Sequence, residues 1–447
     1  MTESAAEIIA RTASRSSAIL RTVTNEQRIK ALESIHEALI ANKTKILEAN
    51  KIDMDDARAE GSGISAPIIK RLDLQSSKDK FETMCEGVME VARLPDPIGR
   101  ITFKSQLDDG LVLERVTCPI GVLLVIFEAR PEVIANITAL AIKSANAVIL
   151  KGGKESLHTF SAISKIVQET LSNTEIPSGA VQLIESRQDV ASLLDQDQYI
   201  DLVIPRGSNE LVRAIKSSTK IPVLGHADGK CAAYVAADAD LEMAARVVVD
   251  SKTNYVAACN AIETLLIQRS GIDTVFPKVA AALLEAGVSL RVTPEVKEAL
   301  SKAGGFPVDD SEKILDATEQ DFDTEFLQFT IAVAAVNDER DAAIHINTHS
   351  SKHTDVIITS DADAAERFMA SVDSSGVYWN ASTRFADGFR YGFGTEVGIS
   401  TSKIHARGPV GLEGLTCYQY KLRGHGQVAG DYVGSGGRQA FKHERIL

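Results

Sequence analysis

The sequence predicts an α/β fold with two parallel-sheet domains and a small β element joined to them. Three observations carry this. Fully apolar runs such as GVLLVIF (121–127) and AVILK (147–151) alternate with helical segments, the pattern of a parallel sheet covered on both faces. A second series of the same kind begins near residue 251. Ahead of both, ITFKSQL and LVLERVT flank Asp109-Gly110, a hairpin signal. At 447 residues the chain is too long for one core, so two or three domains are expected.

The elements follow in order. Residues 24–49 read as one amphipathic helix, with Thr24 and Gln27 at capping-box spacing and Ile29, Leu32, Ile35 and Leu39 on the helical period. More helix runs to about 92, and Leu94–Gly99 breaks it. An isolated two-stranded hairpin is marginal in water, so the 101–118 arm is expected to lie on something else, such as another subunit. Pro131 opens a helix after the first strand of the first sheet. AVILK, AVQLIE, DLVIP and CAAYVAA continue that sheet, with helices at 154–173 and 208–217. The second series runs through ETLLIQ, a helix at 272–286, VSLRV, a polar stretch at 301–325, TIAVAAV, DVIIT, a helix at 361–372 and GVYWN. TCYQYKL near the C-terminus alternates as a strand.

A net charge of -13 argues against bulk nucleic-acid binding. The five cysteines, at 85, 118, 231, 259 and 417, show no CxxC or paired spacing, which fits a reducing compartment with neither a disulfide framework nor a zinc site. The N-terminal stretch lacks the apolar core of a secretory signal, and no apolar run approaches the ~20 residues of a membrane span. No membrane partner is expected, and the cytoplasm is the default location.

The chemistry concentrates at a few points. In Asn254–Thr264 one cysteine, Cys259, sits on a helix end or loop edge just before the apolar run Leu265-Leu266-Ile267. Backbone N–H groups in such a place stabilise a thiolate; the alternative is a small buried hydrophobe. No G-x-G-x-x-G follows the first strand, which disfavours an ordinary dinucleotide fold of that type. Instead AVILK runs into Lys151-Gly152-Gly153-Lys154, either a phosphate site at a strand end or a solvated turn. Pro205-Arg206-Gly207-Ser208 also follows a strand and opens a helix, as a second pyrophosphate contact or a plain cap.

The blocks LVIFEARPEV, SANAVILKGGKE, DLVIPRGS, VLGHADGK, NYVAACNAIET, TEFLQ, HINTHSSKHTDVI and FADGFRYGFGTEVGIS follow one another over nearly the whole chain. Together they resemble the aldehyde dehydrogenase superfamily and, within it, the branch that reduces an acyl phosphate of glutamate. The resemblance implies an NADP-binding domain (1–100 and 119–250), a catalytic domain (251–410), and a bridging or oligomerisation element (101–118 and 411–447). It implies that Cys259 is the nucleophile, Lys151 holds the adenosine ribose and Glu325 the nicotinamide ribose. Gly207 and Ser208 are expected at the cofactor phosphates. Lys154 falls where NAD-specific relatives carry a glutamate, and a lysine there attracts a 2′-phosphate, so NADPH is the expected cofactor.

In the hydrolytic members a glutamate activates water; here His226 takes its place, which suits a reductase. No oxyanion side chain carries over, and the backbone N–H of Cys259 is left for that role. The implied reaction is NADPH-dependent reduction of L-glutamyl 5-phosphate to L-glutamate 5-semialdehyde and phosphate through a thioacyl cysteine, the second step of proline synthesis from glutamate. For the substrate, Arg130 is the candidate for phosphate, with His226 behind it. Arg384 is the candidate for the α-carboxylate, with Arg390 as rival, and Asp387 for the ammonium. The expected partners are a separate glutamate 5-kinase and further copies of the chain, as homodimer or homotetramer. His345, His349 and His353 sit four apart without matched acidic or cysteine partners, are read as structural or substrate-adjacent, and no metal is expected. The rival readings are an NADP-dependent dehydrogenase oxidising a small aldehyde, and an inactive member kept for assembly.

Overall fold

The computed structural model describes residues 4–447 except 61, 65, 78, 129, 185–186, 227, 309–311 and 433–437; the Gly-rich run near the C-terminus falls in the last of these gaps. Helices lead the chain. Helix α1 (Ala5–Leu20) buries Ala6, Ala10, Ala13, Ser16, Ser17 and Leu20. That face is made mostly of small residues at helical spacing, and the sequence reading placed no helix there. The expected single helix over 24–49 is two, α2 (Asn25–Ala41) and α3 (Lys43–Arg58), interrupted at Asn42. The Thr24–Gln27 capping box is present in both directions. Helices α4 (Ala66–Leu72) and α5 (Lys80–Arg93) complete the leading set.

The hairpin forms as read: β1 (Ile101–Asp108) and β2 (Leu111–Pro119) pair antiparallel around Asp109-Gly110, with Gly110 at φ +69° supplying the left-handed turn residue. The first parallel sheet is β3 (Val122–Phe127), then α6 (Val133–Lys143), β4 (Ala147–Lys151), α7 (Leu157–Leu171), β5 (Val181–Ile184), α8 (Arg187–Leu194), β6 (Leu202–Arg206) and α9 (Asn209–Ser218). Its strand order is β5-β4-β3-β6. Strands β3 and β4 are buried along their whole length, as uninterrupted apolar runs should be.

Strand β7 (Cys231–Val235), expected to close that sheet, belongs to the other one. It lies between β8 and β12 in a seven-stranded sheet of order β10-β9-β11-β8-β7-β12-β13. These elements are α10 (Leu241–Thr253), β8 (Ile262–Gln268), α11 (Phe276–Glu285), β9 (Ser289–Val292), α12 (Pro294–Ala303), β10 (Ile314–Asp316), β11 (Thr330–Val336), α13 (Glu339–His349), β12 (Thr354–Ile358), α14 (Ala362–Ser371) and β13 (Gly376–Trp379). The physical reason is burial on both faces: every residue of β7 is buried, and its two sides feed two separate apolar clusters of this sheet.

A small pair, β14 (Gly398–Ser400) and β15 (Gly408–Val410), follows. Then β16 (Thr416–Arg423) returns to pair antiparallel with β2, and β17 (Glu444–Arg445) pairs with β1. The result is a four-stranded sheet β16-β2-β1-β17 with β16 at its edge and Tyr418, Tyr420 and Leu422 exposed.

The two parallel sheets meet end to end. The first presents its carboxyl edge, where β4 ends at Lys151 and β6 at Arg206. The second presents its amino edge, just before Cys231, Ile262 and Thr354. Asn209, the first residue of α9, donates across the seam to Glu325 at 2.9 Å.

Candidate active site

Cys259 lies in the tight turn between α10 and β8. Short-range hydrogen bonds from Ala258 N to Tyr255 O (3.0 Å) and from Ala261 N to Ala258 O (2.9 Å) shape that turn. Contacts from elsewhere in the chain fix it in place. Thr383 Oγ1 donates to Asn260 O at 2.6 Å, and Asn260 Nδ2 donates to Ala386 O at 2.9 Å. The close approach of Gly229 holds the other side. A Cβ there would stand 2.3 Å from Cys259 Cα, so only glycine lets the two backbones meet.

The sulfur faces His353, with Sγ 3.3 Å from Nε2. His353 is fully buried, and its Nδ1 lies 2.9 Å from Thr354 Oγ1. The consistent arrangement has Nδ1–H donating to the threonine hydroxyl, so the Nε2 lone pair accepts from the thiol. His226 stands edge-on to His353, ring centroids 5.3 Å apart, and its Nδ1 is 3.4 Å from the carbonyl oxygen of Ile399.

Burial sets the electrostatics. It pushes the Cys259 thiol up to about 12; the charges of Glu396 and Glu325 push the same way, and Arg384 opposes them. Burial holds the His353 imidazole down at about 3, helped by His226 and Arg384. The resting pair is therefore neutral thiol and neutral imidazole. The backbone N–H of Cys259 is directed at its own sulfur and favours the thiolate once it forms.

Two guanidiniums stand near this sulfur. Arg206 is lowered first by burial, and it feels Glu396, Arg130 and Cys259. Its Nη2 is 3.9 Å from Glu396 Oε1. Arg384 is also lowered first by burial, with Arg390 and then Cys259 among the charges acting on it, and its Nε is buried with no hydrogen-bond partner among the described residues.

At the first sheet's edge, Lys151 is buried and bonds to Gly152 O, while Lys154 is exposed in the next turn. The N-terminus of α9 holds an anion already. Ser208 N–H donates to the Glu128 carboxylate at 3.0 Å, and a Cβ on Gly207 would meet that carboxylate at 2.5 Å. The helix start thus accepts an anion, and a cofactor phosphate would take the place of the Glu128 carboxylate there. Glu325 is half-buried and accepts from Gly229 N as well as Asn209, each at 2.9 Å.

Comparison with known proteins fixes the lineage. A model of the aldehyde dehydrogenase family matches residues 1–299. The γ-glutamyl phosphate reductase of Saccharomyces cerevisiae is 57% identical over 452 residues, covering 99% of this chain and 98% of that protein. This chain belongs to the γ-glutamyl phosphate reductase family. It is thereby an oxidoreductase of the aldehyde dehydrogenase superfamily. The γ-glutamyl phosphate reductase 1 of Synechocystis is 48% identical over 443 residues, 98% of each chain. The crystal structure of the γ-glutamyl phosphate reductase of Thermotoga maritima superposes with a TM-score of 0.89 at 35% identity, covering 95% of this chain and 100% of that one.

In this reductase-family chain the sequence-derived residues divide into three sets. Cys259, Glu325 and Arg384 converge on one site, linked through Gly229 and the charges just described. Lys151, Lys154, Gly207 and Ser208 line the facing sheet edge. Arg130 is exposed and touches the site only through the field of Arg206 and Glu396. Asp387 uses one carboxylate oxygen, Oδ1, on its own turn, accepting from Phe389 N (3.0 Å) and Arg390 N (3.2 Å).

Three residues lie closer to the sulfur than the sequence implied: His353, read there as structural or substrate-adjacent, Arg206, read as part of a pyrophosphate contact or cap, and Glu396, not singled out at all. Arg206 lay inside a motif already singled out. His353 immediately precedes an apolar strand, as Cys259 nearly does, and that shared position was the available signal. The three evenly spaced histidines do not act together. His345 and His349 stack on each other on α13, with centroids 4.6 Å apart, while His353 alone reaches the cysteine.

Proposed function

We propose that the chain reduces L-glutamyl 5-phosphate with NADPH, giving L-glutamate 5-semialdehyde and phosphate through a thioester on Cys259, in the service of proline synthesis. The observation that carries this reading is a cysteine thiol 3.3 Å from a neutral imidazole nitrogen, beside two guanidiniums, in a chain of this family.

His353 takes the thiol proton as the sulfur bonds to the C5 carbonyl carbon of the substrate. The resting thiol is protonated, so this transfer and the attack are concerted. The C5–O bond to phosphate then breaks, and phosphate leaves with the bonding electrons toward Arg206, with Arg130 at the outer rim. When bound, the nicotinamide cofactor supplies the hydride that reduces the thioester. Collapse of the resulting thiohemiacetal breaks the C–S bond, and the sulfur recovers its proton from His353. Arg384, short of a hydrogen-bond partner, takes the α-carboxylate; Asp387 meets the ammonium at its edge.

Glu325 positions the nicotinamide ribose, Lys151 the adenosine ribose, and Gly207 and Ser208 the pyrophosphate. Lys154 supports a 2′-phosphate and hence NADPH over NADH. The exposed edge of β16 suits pairing with a second copy, as dimer or tetramer, and a separate glutamate 5-kinase would supply the labile substrate. No helix among the described residues is long and apolar enough to cross a membrane, and we place the work in the cytoplasm. Oxidation of semialdehyde, assayed with NADP and NAD and with and without phosphate, tests the reading. Phosphate-dependent turnover with NADP is expected; equal turnover in phosphate-free buffer would point to the hydrolytic reaction instead.

A further inference from the structure

We propose that Cys259, His353 and His226 together form a reversible binding site for a thiophilic divalent cation of the zinc class, which occupies the nucleophile in place of the acyl substrate. One sulfur and two imidazole nitrogens lie within 4.8 Å of one another. Tetrahedral zinc, with bonds of about 2.3 Å to sulfur and about 2.0 Å to nitrogen, sets sulfur and nitrogen about 3.5 Å apart and two nitrogens about 3.3 Å apart. The Cys259–His353 separation of 3.3 Å already matches that edge. His226 starts from at most 4.8 Å and has to turn inward to complete the third edge.

The tautomers suit the ion as well. A carbonyl oxygen only accepts, so the Ile399 carbonyl at 3.4 Å fixes the proton of His226 on Nδ1 and leaves Nε2 as its lone pair. At His353 the Thr354 hydroxyl, 2.9 Å from Nδ1, accepts from Nδ1–H in the tautomer that leaves Nε2 for the metal. Metal-binding histidines are oriented by outer contacts of this kind. Charge does not forbid the ion: Glu396 and Glu325 act on the sulfur as negative charges and offset Arg384 and Arg206. Three protein ligands leave a fourth position for water, the arrangement of an open zinc site. On binding, the S–H bond breaks, the sulfur–metal bond forms and the proton passes to solvent; no electron moves. The site would make the chain sensitive to free zinc, with activity restored by a chelator. The inference concerns the three ligands alone and does not depend on which acyl group the cysteine accepts.

Equilibrium dialysis of the full chain against Zn²⁺, in a non-coordinating reductant, tests it. One ion per chain is expected. Cys259→Ala should lose it, and His353→Gln and His226→Gln should each weaken it at least tenfold. The Cys118–Cys417 pair, with sulfurs 3.5 Å apart on neighbouring strands, is the competing site, so Cys417→Ser should leave binding unchanged. Because a variant can misfold, wild-type chain should also be alkylated with and without Zn²⁺ and mapped by peptide mass. Protection confined to Cys259 supports the site. Binding that survives Cys259→Ala, is lost in Cys417→Ser, or fails to protect Cys259 overturns it.

Discussion

Gly229 and Cys259 meet backbone to backbone. A Cβ on Gly229 would fall 2.3 Å from Cys259 Cα and 2.4 Å from its carbonyl oxygen, and neither atom belongs to a side chain that can swing away. The same glycine donates its N–H to Glu325. The proposed nucleophile and the carboxylate proposed for the nicotinamide ribose are thus set by one residue without a side chain.

Gly229→Ala should therefore move the cysteine turn. Displacements near 1 Å at a reacting atom cost about 10²-fold in rate, so kcat should fall by about that factor while the chain stays folded. Steady-state kinetics beside a thermal melt check this; a variant with the parent's kcat would mean the turn tolerates the shift.

Behind the same turn, Lys252 and Glu263 form an ion pair with side chains 0% and 2% exposed. Burial lowers the lysine and raises the glutamate, and each holds the other charged. Glu263 also accepts from Leu327 N at 3.2 Å, two residues past Glu325. Removing one partner strands a buried charge, which costs about 3–5 kcal/mol. Lys252→Met and Glu263→Leu should each lose about that much stability in denaturant unfolding, and the double variant should lose less than the sum of the two.

Lys154 carries the argument for cofactor choice. Lys154→Glu exchanges an attracting charge for a repelling one beside the 2′-phosphate. A charge-assisted contact is worth roughly 1.5–3 kcal/mol, so kcat/KM for NADPH should drop about 10- to 100-fold while that for NADH changes little. Parallel losses with both cofactors would place Lys154 away from the 2′-phosphate.

Much of this was legible in the chain, for local reasons. GVLLVIF and AVILK are buried on both faces and could hardly be anything but parallel strands. Asp109-Gly110 names its own turn. What stayed hidden is what distance along the chain decides. Helix α1 buries mostly alanines and serines, small residues that carry a weaker apolar mark than the branched side chains of the strands. Strand β7 sits between β8, the next strand in the chain, and β12, more than a hundred residues later, and no local pattern assigns it to the second sheet instead of the first. His353 meets Cys259 across 94 residues. Lys151 and Ser208 lie at the strand end and helix start that the apolar runs and the Gly-Ser step marked in the chain. Asp387 looked available for an ammonium, yet its carboxylate also caps its own turn.

Acid stability should carry the mark of His345. Burial, and then the neighbouring His349, hold its imidazole at about 4, against 6.5 for the free group. The unfolded chain takes up a proton near 6.5 that the folded chain refuses until about 4. Stability from this residue is thus full above pH 6.5, is lost as pH falls toward 4, and changes no further below. His345→Leu should flatten the fall in unfolding midpoint across that window; a slope equal to the parent's would assign the acid sensitivity elsewhere.

The most direct measurement is a rapid-mixing experiment with glutamate 5-semialdehyde and NADP⁺ in phosphate-free buffer. The account predicts a burst of one hydride transfer per chain, then a stall with the acyl group on Cys259, and renewed turnover when phosphate is added. Cys259→Ala should give no burst. A burst of normal size in that variant, or steady turnover of the parent without phosphate, would contradict the thioester and the reaction built on it.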